Sequence, residues 1–272
     1  MVHPVLKYTS VFMWFYWCSC VIFYILILLL SFTVMGNSGL KQHYETAKKT
    51  GVLKISQQKL TEFPASLKQL EPLLRTLDLS ENRFMTLPKE IGSFKLLKHL
   101  NVNQNRLISL PDSVGDLIKL ESLSVCANKL TSLPPSLSNL SNLKQVYISD
   151  NQISEFPLMF CGLRHLDVLD LSKNKITEVP AGVSDIYVTE LNLNQNQVSY
   201  LSENIADCPK LKTLRLEENC LQLAAICPRI LTNSKISILA LDGNLFDMKS
   251  LTETEGYDKY MERYTAVKKK MF

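Results

Sequence analysis

A motif of about 23 residues recurs along most of this chain, and it constrains the fold more than any other feature of the sequence. Five copies follow one another directly: LRTLDLSENRFMTLP begins at Leu74, LKHLNVNQNRLISLP at Leu97, LESLSVCANKLTSLP at Leu120, LKQVYISDNQISEFP at Leu143 and LDVLDLSKNKITEVP at Leu166. One asparagine recurs in all five and in three later copies, at Asn82, Asn105, Asn128, Asn151, Asn174, Asn196, Asn219 and Asn244. An earlier, imperfect copy has Gln58 at that position. Such regular self-similarity predicts a stack of about nine similar coils.

The residue types within each copy indicate how a coil is built. Leu77 and Leu79 alternate with polar residues, which is typical of a short strand with one buried face. The amide of the recurring asparagine has both donors and an acceptor, so we predict that the eight asparagines form a structural ladder that satisfies backbone groups cut off from water. Stacking such units buries one continuous core. We therefore predict an α/β solenoid that is curved, with a parallel sheet on its concave face and a helical cap at each end.

The sequence divides into four regions. Residues 1–35 are a hydrophobic extension, and within it residues 11–34 carry no charge and are long enough for a transmembrane span. Residues 36–52 are predicted to form an N-terminal capping segment that stops at Gly51. The repeats occupy residues 53–250. Residues 251–272 are predicted to form a C-terminal capping helix with a basic tail, and we interpret the aromatic stripe of this helix as a lid on the last coil.

The composition and the concave positions argue against several classes of function. A formal net charge of +4 is too small to indicate a nucleic-acid partner. The outward positions of the strands include one histidine, His99, and the nearest cysteine, Cys126, lies one coil away with no third group to orient the pair. The other histidines are scattered, and neither a phosphate-binding loop nor a serine elbow is present. We predict a protein that is not an enzyme and has no catalytic residue, cofactor or metal.

Recognition of another protein is the function that remains, because a long preorganised surface suits a large partner. Aromatic and arginine side chains dominate such contacts, so Tyr147 and Arg215 are the candidate anchors, the alternative being that both are ordinary solvated residues. The later half of the concave face is acidic, which favours a partner with a basic patch. The candidate partner-binding residues are Tyr147, Asp150, Asp170, Glu190, Arg215, Glu217 and Glu218. We expect the protein to be a monomer that binds a protein partner of unknown identity.

From Met35 to the end, the chain resembles the intracellular leucine-rich repeat family. The resemblance is carried by the repeats, by MGNSGL at Met35, by LRLEENCL from Leu214 and by EGYDKYMERYTAVKKK from Glu255. It implies a protein without enzymatic activity that is placed on membranes by an N-myristoyl group on the glycine after the first methionine. More distantly, the form of the repeat that ends in Leu-Pro is similar to Ras-pathway scaffolds and to phosphatase-targeting repeat proteins. A regulatory or targeting subunit for such an enzyme is therefore the alternative function.

The start of translation decides how this chain would meet a membrane. If translation starts at Met35, Gly36 becomes the myristoyl acceptor and residues 1–34 are an upstream extension, although Leu40 stands where the motif asks for Ser or Thr. If Met1 is the start, residues 11–34 would form the span of a single-pass, receptor-like protein. More lysines follow that span than precede it, so the repeats would still face the cytoplasm. Both alternatives predict an adaptor on the cytoplasmic side of a membrane.

Overall fold

A computed structural model describes residues 40–269 of the 272-residue chain. Its main feature is a sheet of nine parallel strands, each of three residues, in the order β1-β2-β3-β4-β5-β6-β8-β10-β11. The strands are β1 (Val52–Lys54), β2 (Thr76–Asp78), β3 (His99–Asn101), β4 (Ser122–Ser124), β5 (Gln145–Tyr147), β6 (Val168–Asp170), β8 (Glu190–Asn192), β10 (Thr213–Arg215) and β11 (Ile238–Ala240). Each coil adds one strand beside the previous one, which confirms the predicted curved solenoid.

The opposite, convex side is made of short 3-10 helices instead of strands. They span Ala65–Leu70, Lys89–Ser93, Asp112–Asp116, Pro135–Asn139, Leu158–Phe160, Ala181–Asp185, Glu203–Asp207 and Leu223–Ala225. Proline precedes each of the first six, where its missing N–H costs no hydrogen bond. In addition, β7 (Glu178–Val179) and β9 (Tyr200–Leu201) each lie directly before one of these helices, and they pair with each other in a separate small sheet. The leucines of the strands and the apolar residues of the helices meet in one buried core.

The recurring asparagines link each coil to the one before it. Asn151 illustrates the pattern: its Nδ2 donates to the carbonyl oxygens of Val125, Ile148 and Ser149 at 3.0, 3.2 and 3.2 Å, and its Oδ1 accepts from the backbone N–H of Leu130 at 3.0 Å. The other seven make equivalent bonds, from Asn82 through Asn105, Asn128, Asn174, Asn196 and Asn219 to Asn244. The asparagines thus satisfy backbone groups of their own coil and of the preceding coil.

The residue before each ladder asparagine adopts a left-handed conformation. Its φ lies between 53° and 56° at Glu81, Gln104, Ala127, Asp150, Lys173, Gln195 and Glu218, and the last coil has Gly243 there with a φ of 77°. L-residues visit this region rarely, and a single residue in it turns the chain sharply. Each strand is therefore followed by the same sharp turn, and the residue directly before the ladder asparagine occupies that turn in every coil.

Helices close both ends of the stack. Residues 40–50 form α1, which buries Ala47 completely and ends at Gly51 with a φ of 71°. The last coil contains α2 (Pro228–Asn233), and after β11 the chain forms α3 (Met248–Thr252) and α4 (Tyr257–Lys268). The hydroxyl of Tyr260 in α4 accepts a hydrogen bond at 3.1 Å from the backbone N–H of Leu239, which faces outward from the last strand. This helix therefore satisfies one backbone group at the free edge of the sheet as well as covering the core.

Residues 40–269 contain one continuous core with a cap at each end. Buried apolar side chains run without interruption from Ala47 in α1 to Tyr260 in α4. Phe84, Phe94 and Phe160 are among the largest side chains that are fully buried. Both apolar ends of the stack are therefore covered by residues within this region.

Candidate protein-binding surface

The concave face presents its side chains in straight columns. Parallel pairing is in register throughout, so that Thr76 lies beside His99 and Asp78 beside Asn101. Neighbouring strands in a sheet are about 4.8 Å apart, and each column therefore rises by that step from coil to coil. We call this face the wall. It is rigid, because the seven interior strands are held by backbone pairing on both sides, and β1 and β11 on one side.

One column brings together three of the predicted binding residues. Tyr147 pairs with Asp170, Asp170 with Asn192, and Asn192 with Arg215. All four side chains are half-buried, so each is held in place by its neighbours while one part of it faces solvent. The column therefore offers an aromatic ring, a carboxylate, an amide and a guanidinium in a fixed order across four adjacent strands.

The coil next to Tyr147 carries only small outward side chains, and it forms a low part of the wall. These are Ser122, Ser124, Cys126 and Ala127. Ser124 Oγ donates to Asn103 Oδ1 at 2.9 Å, and the backbone N–H of Cys126 donates to the same oxygen at 2.6 Å. Their polar groups are thus satisfied within the wall. The ring of Tyr147 stands beside a floor that can receive a bulky side chain of a partner.

Arg215 is engaged in an ion pair. Its Nε lies 2.8 Å from Glu190 Oε1 on the adjacent strand, and the two side chains are 40% and 36% exposed. A partly exposed pair of this kind contributes about 0–1 kcal/mol to stability. The two charges cancel locally, so Arg215 is available as an anchor only to a partner that supplies a carboxylate in place of Glu190.

The acidic part of the wall is concentrated at its C-terminal end. Glu217 accepts a hydrogen bond from the side chain of Asn194, and Gln195 Nε2 donates to Glu218 Oε2 at 2.8 Å. Together with Asp242 these carboxylates border a shallow depression of about 420 Å³. Sequence reasoning missed Asp242. It lies two residues before the ladder asparagine, as Glu217 does in the preceding coil, and that equivalence was the signal that could have identified it.

Asp170, the carboxylate of the column, and Asp150, the last predicted residue, lie nearer the centre of the wall. Asp170 Oδ1 accepts a hydrogen bond from the backbone N–H of Ser172 at 3.0 Å, which stabilises the end of its strand. Asp150 is exposed and has the left-handed conformation, with a φ of 56°. All seven predicted residues therefore lie on the same face, four of them clustered toward the C-terminal end around β8 and β10.

A bracket of opposite charges flanks the wall. Glu121, which immediately precedes β4, accepts from Lys98 Nζ at 2.7 Å and from Lys144 Nζ at 2.6 Å. These hydrogen bonds from Lys144 and Lys98 lower the pKa of the Glu121 carboxyl to about 2. The bracket holds three successive coils together outside the hydrophobic core, and the sequence analysis did not identify it.

His99 and Cys126, the one candidate catalytic pair in the sequence, are not brought together. His99 pairs with Ser122, and Cys126 lies four residues further along that coil, which corresponds to roughly 13 Å at the rise of a strand. Burial raises the pKa of the Cys161 and Cys208 thiols to about 11 and about 12, so both resist ionisation. Within residues 40–269, no three histidine, cysteine or acidic side chains are grouped closely enough to hold a metal ion.

The predicted sites of membrane attachment lie outside the described residues. These are Gly36 and the candidate span over residues 11–34. In the part of the chain that the structure covers, no helix combines the length and the apolar character needed to cross a bilayer.

Comparisons with known proteins agree with the repeat and the fold. Two family models described as leucine-rich repeats match residues 118–176 and 73–94. The structure of an internalin, InlF from Listeria monocytogenes, is similar with a TM-score of 0.64 and 20% sequence identity. The match covers 75% of this chain and 59% of the internalin chain. The plant peptide hormone receptor RGFR1, solved in complex with RGF2, is 23% identical with a TM-score of 0.59 over 71% and 32%.

The structure of a TLR13–ssRNA13 complex gives a similar result, with 24% identity and a TM-score of 0.61 over 74% of this chain and 30% of that one. In all three comparisons the chain spans less than two thirds of the other protein's length. At these identities the likeness concerns the fold alone. The chain thus carries leucine-rich repeats and has the leucine-rich repeat fold, which is typical of protein–protein interaction modules.

Proposed function

We propose that this protein is a non-catalytic adaptor that binds a protein partner through the wall. The column from Tyr147 to Arg215 is the observation that carries the proposal. It combines an aromatic ring beside a low floor with charged groups whose positions are fixed before binding. A preorganised surface loses little side-chain entropy on association, so more of the contact energy is available as affinity.

The partner we propose presents a basic segment to the C-terminal half of the wall. Glu217, Glu218 and Asp242 border one depression, where the one basic side chain in its lining is Lys173, so the three carboxylates leave this region negatively charged. Charge complementarity of this kind accelerates encounter and selects among partners more than it adds affinity. The ring of Tyr147 and the small side chains beside it would supply the apolar contact.

We further propose that the adaptor is held at the cytoplasmic face of a membrane. The support for this is in the sequence, where Gly36 follows Met35 and residues 11–34 are continuously uncharged. A single myristoyl chain binds a membrane only marginally, so attachment through Gly36 would need a second contribution. Intact-mass measurement of the native protein distinguishes the two routes, since a chain beginning at Met1 cannot be acylated at Gly36.

A second candidate is a regulatory or targeting subunit for a phosphatase or a small-GTPase pathway. It uses the same wall, and it differs from a general scaffold only in the class of the partner. Co-purification of one such enzyme in constant ratio with this protein would favour this alternative. A single-pass, receptor-like protein is the third candidate, and it requires the product that starts at Met1.

Proximity labelling in cells with matched variants tests the proposal. The wall variant combines Tyr147→Ala, Glu217→Lys and Glu218→Lys, and we expect it to lose a defined set of labelled proteins. Its control makes the same types of change on the convex side, at the exposed residues Tyr200, Glu178 and Glu203. An identical set of proteins for both variants would show that the wall is not the binding face.

The membrane part of the proposal is tested separately. A Gly36→Ala form expressed from Met35 should leave the membrane fraction while keeping the partners that depend on the wall. Membrane association unchanged by this substitution would rule out the lipid route for that product.

A further inference from the structure

Four consecutive coils carry a basic residue at the position directly after the ladder position. They are Lys59, Arg83, Arg106 and Lys129, and we call this row the basic edge. All four side chains are exposed. The row lies beyond the turn that ends each strand, so it forms a rim of the wall and is separate from the predicted binding column.

Backbone hydrogen bonds fix the spacing of the basic edge. The N–H groups of Arg83, Arg106 and Lys129 each donate to a carbonyl oxygen of the preceding coil, at 2.7, 2.9 and 2.9 Å. Each basic residue is therefore one coil, or about 4.8 Å, from the next. Four positive charges are arranged along roughly 15 Å of a rigid support.

Within the described part of the chain, the basic side chains of this edge are not paired with carboxylates. Among residues 40–269, none of its four side chains forms an ion pair or a side-chain hydrogen bond, whereas Lys98, Lys144 and Arg215 all do. The nearby carboxylate of Glu81 accepts instead from Gln57 Nε2 at 2.6 Å. Like charges at this spacing repel one another, and that repulsion is relieved when an anionic surface approaches.

Two large apolar side chains are exposed beside the basic edge. Met85 and Ile108 follow Arg83 and Arg106 by two residues, and they are 59% and 51% exposed. They lie in adjacent coils, because the backbone N–H of Ile108 donates to the carbonyl oxygen of Met85 at 3.2 Å. Cationic side chains next to exposed apolar ones are typical of surfaces that bind the interface of an anionic bilayer.

We propose that the basic edge, with Met85 and Ile108, docks on the anionic lipid headgroups of a membrane. This inference rests on the membrane attachment proposed above and supplies the second contribution that a single lipid chain requires. The basic edge begins in the first coil, which α1 caps, and α1 directly follows the segment of sequence that contains both attachment sites.

Vesicle flotation tests the proposal with a chain that starts at Met35 and carries Gly36→Ala, so that no lipid is attached. This chain contains the continuous core and both caps. We expect it to bind vesicles of phosphatidylcholine and phosphatidylserine but not vesicles of phosphatidylcholine alone, and to be released by salt. Each basic side chain near such a surface strengthens binding about fivefold, so replacing all four by glutamine should weaken it on the order of 100-fold or more.

A matched control removes the same number of charges elsewhere. Lys89, Lys119, Lys212 and Lys249 are also exposed and also form no ion pair among residues 40–269, and their replacement by glutamine should weaken binding far less. A double variant with Met85→Ser and Ile108→Ser should lower vesicle binding without altering its salt dependence. All of these side chains are exposed, and unchanged circular dichroism would verify that the variants fold.

Three outcomes would overturn the proposal. These are no binding to the phosphatidylserine vesicles, equal losses in the basic-edge and control variants, and tighter binding to polyglutamate or single-stranded RNA than to the vesicles. None of these outcomes tests whether the wall binds a protein partner. The wall variant described above is expected to bind vesicles normally. Failure of lipid docking is therefore distinguishable from failure of the proposed adaptor function.

Discussion

Replacing one rung of the asparagine ladder should cost more stability than any exposed substitution in the same coil. In Asn151→Ala the three carbonyl oxygens that lose the amide each keep another donor: Val125 keeps Asn128, Ile148 keeps Asn174, and the oxygen of Ser149 keeps the backbone N–H of Ala127. The buried N–H of Leu130 has Asn151 Oδ1 as its acceptor and is left without a partner.

This hydrogen-bond arrangement sets the expected magnitude. A buried N–H without an acceptor costs about 2 kcal/mol, and loss of the amide's two donors adds about 1 kcal/mol. We therefore expect Asn151→Ala to lower the free energy of unfolding by about 3 kcal/mol.

Urea denaturation followed by circular dichroism measures this difference, using the chain that starts at Met35. Gln152→Ala is the matched control, because Gln152 is the next residue, is exposed and has no side-chain hydrogen bond within residues 40–269. It should change the free energy of unfolding by less than about 0.5 kcal/mol. Equal effects of the two substitutions, or a loss below about 1 kcal/mol for Asn151→Ala, would refute the reasoning.

Three further predictions concern the caps and the contacts between coils. Tyr260→Phe should destabilise the protein by about 1–2 kcal/mol, because the outward N–H of Leu239 loses its acceptor. Thermal unfolding measures this effect, and an unchanged midpoint would show that the hydroxyl has no such role. Gly115→Ala places a Cβ 2.4 Å from a backbone carbonyl oxygen of the next coil, so it should lower the free energy of unfolding by more than about 2 kcal/mol. Gly182→Ala is the matched control, because its Cβ meets only a flexible side chain at 3.2 Å, and it should lower the free energy of unfolding by less than about 1 kcal/mol. Because the folded pKa of Glu121 lies below its ordinary value of 4.5, its contribution to stability is present above pH 4.5 and is lost as the pH falls toward about 2. The stability difference between wild type and Glu121→Gln should shrink over that interval, and a pH-independent difference would contradict the bracket.

The solenoid could be predicted from the sequence because its determinants are local and repeated. Alternation of residues such as Leu77 and Leu79 assigns each side chain to the core or to the wall, and the constant spacing of the asparagines fixes the stacking. The same alternation placed Tyr147, Asp170 and Arg215 on one face, where the structure has them as members of one column. Their role in binding a partner stays a prediction.

The contacts between columns could not be predicted in the same way. The pairing of Arg215 with Glu190 depends on the rotamers of two side chains 25 positions apart, and no repeat pattern encodes it. The left-handed turn is occupied by residues as different as Ala127, Asp150 and Lys173, so composition gives no sign of it except at Gly243. The aromatic stripe of the last helix predicted a lid, but the hydrogen bond from Leu239 to Tyr260 depends on where that helix lies across the strand edge.

The uniform ladder makes the coils interchangeable as units of length. Asn128 accepts from the N–H of Leu107, and Asn151 accepts from the N–H of Leu130 in the same geometry. Excising the 23 residues between equivalent points of these two coils would let Asn151 take over the N–H of Leu107, leaving no broken rung at the junction. The reach of the wall can therefore be shortened or extended in whole steps without redesigning its interior.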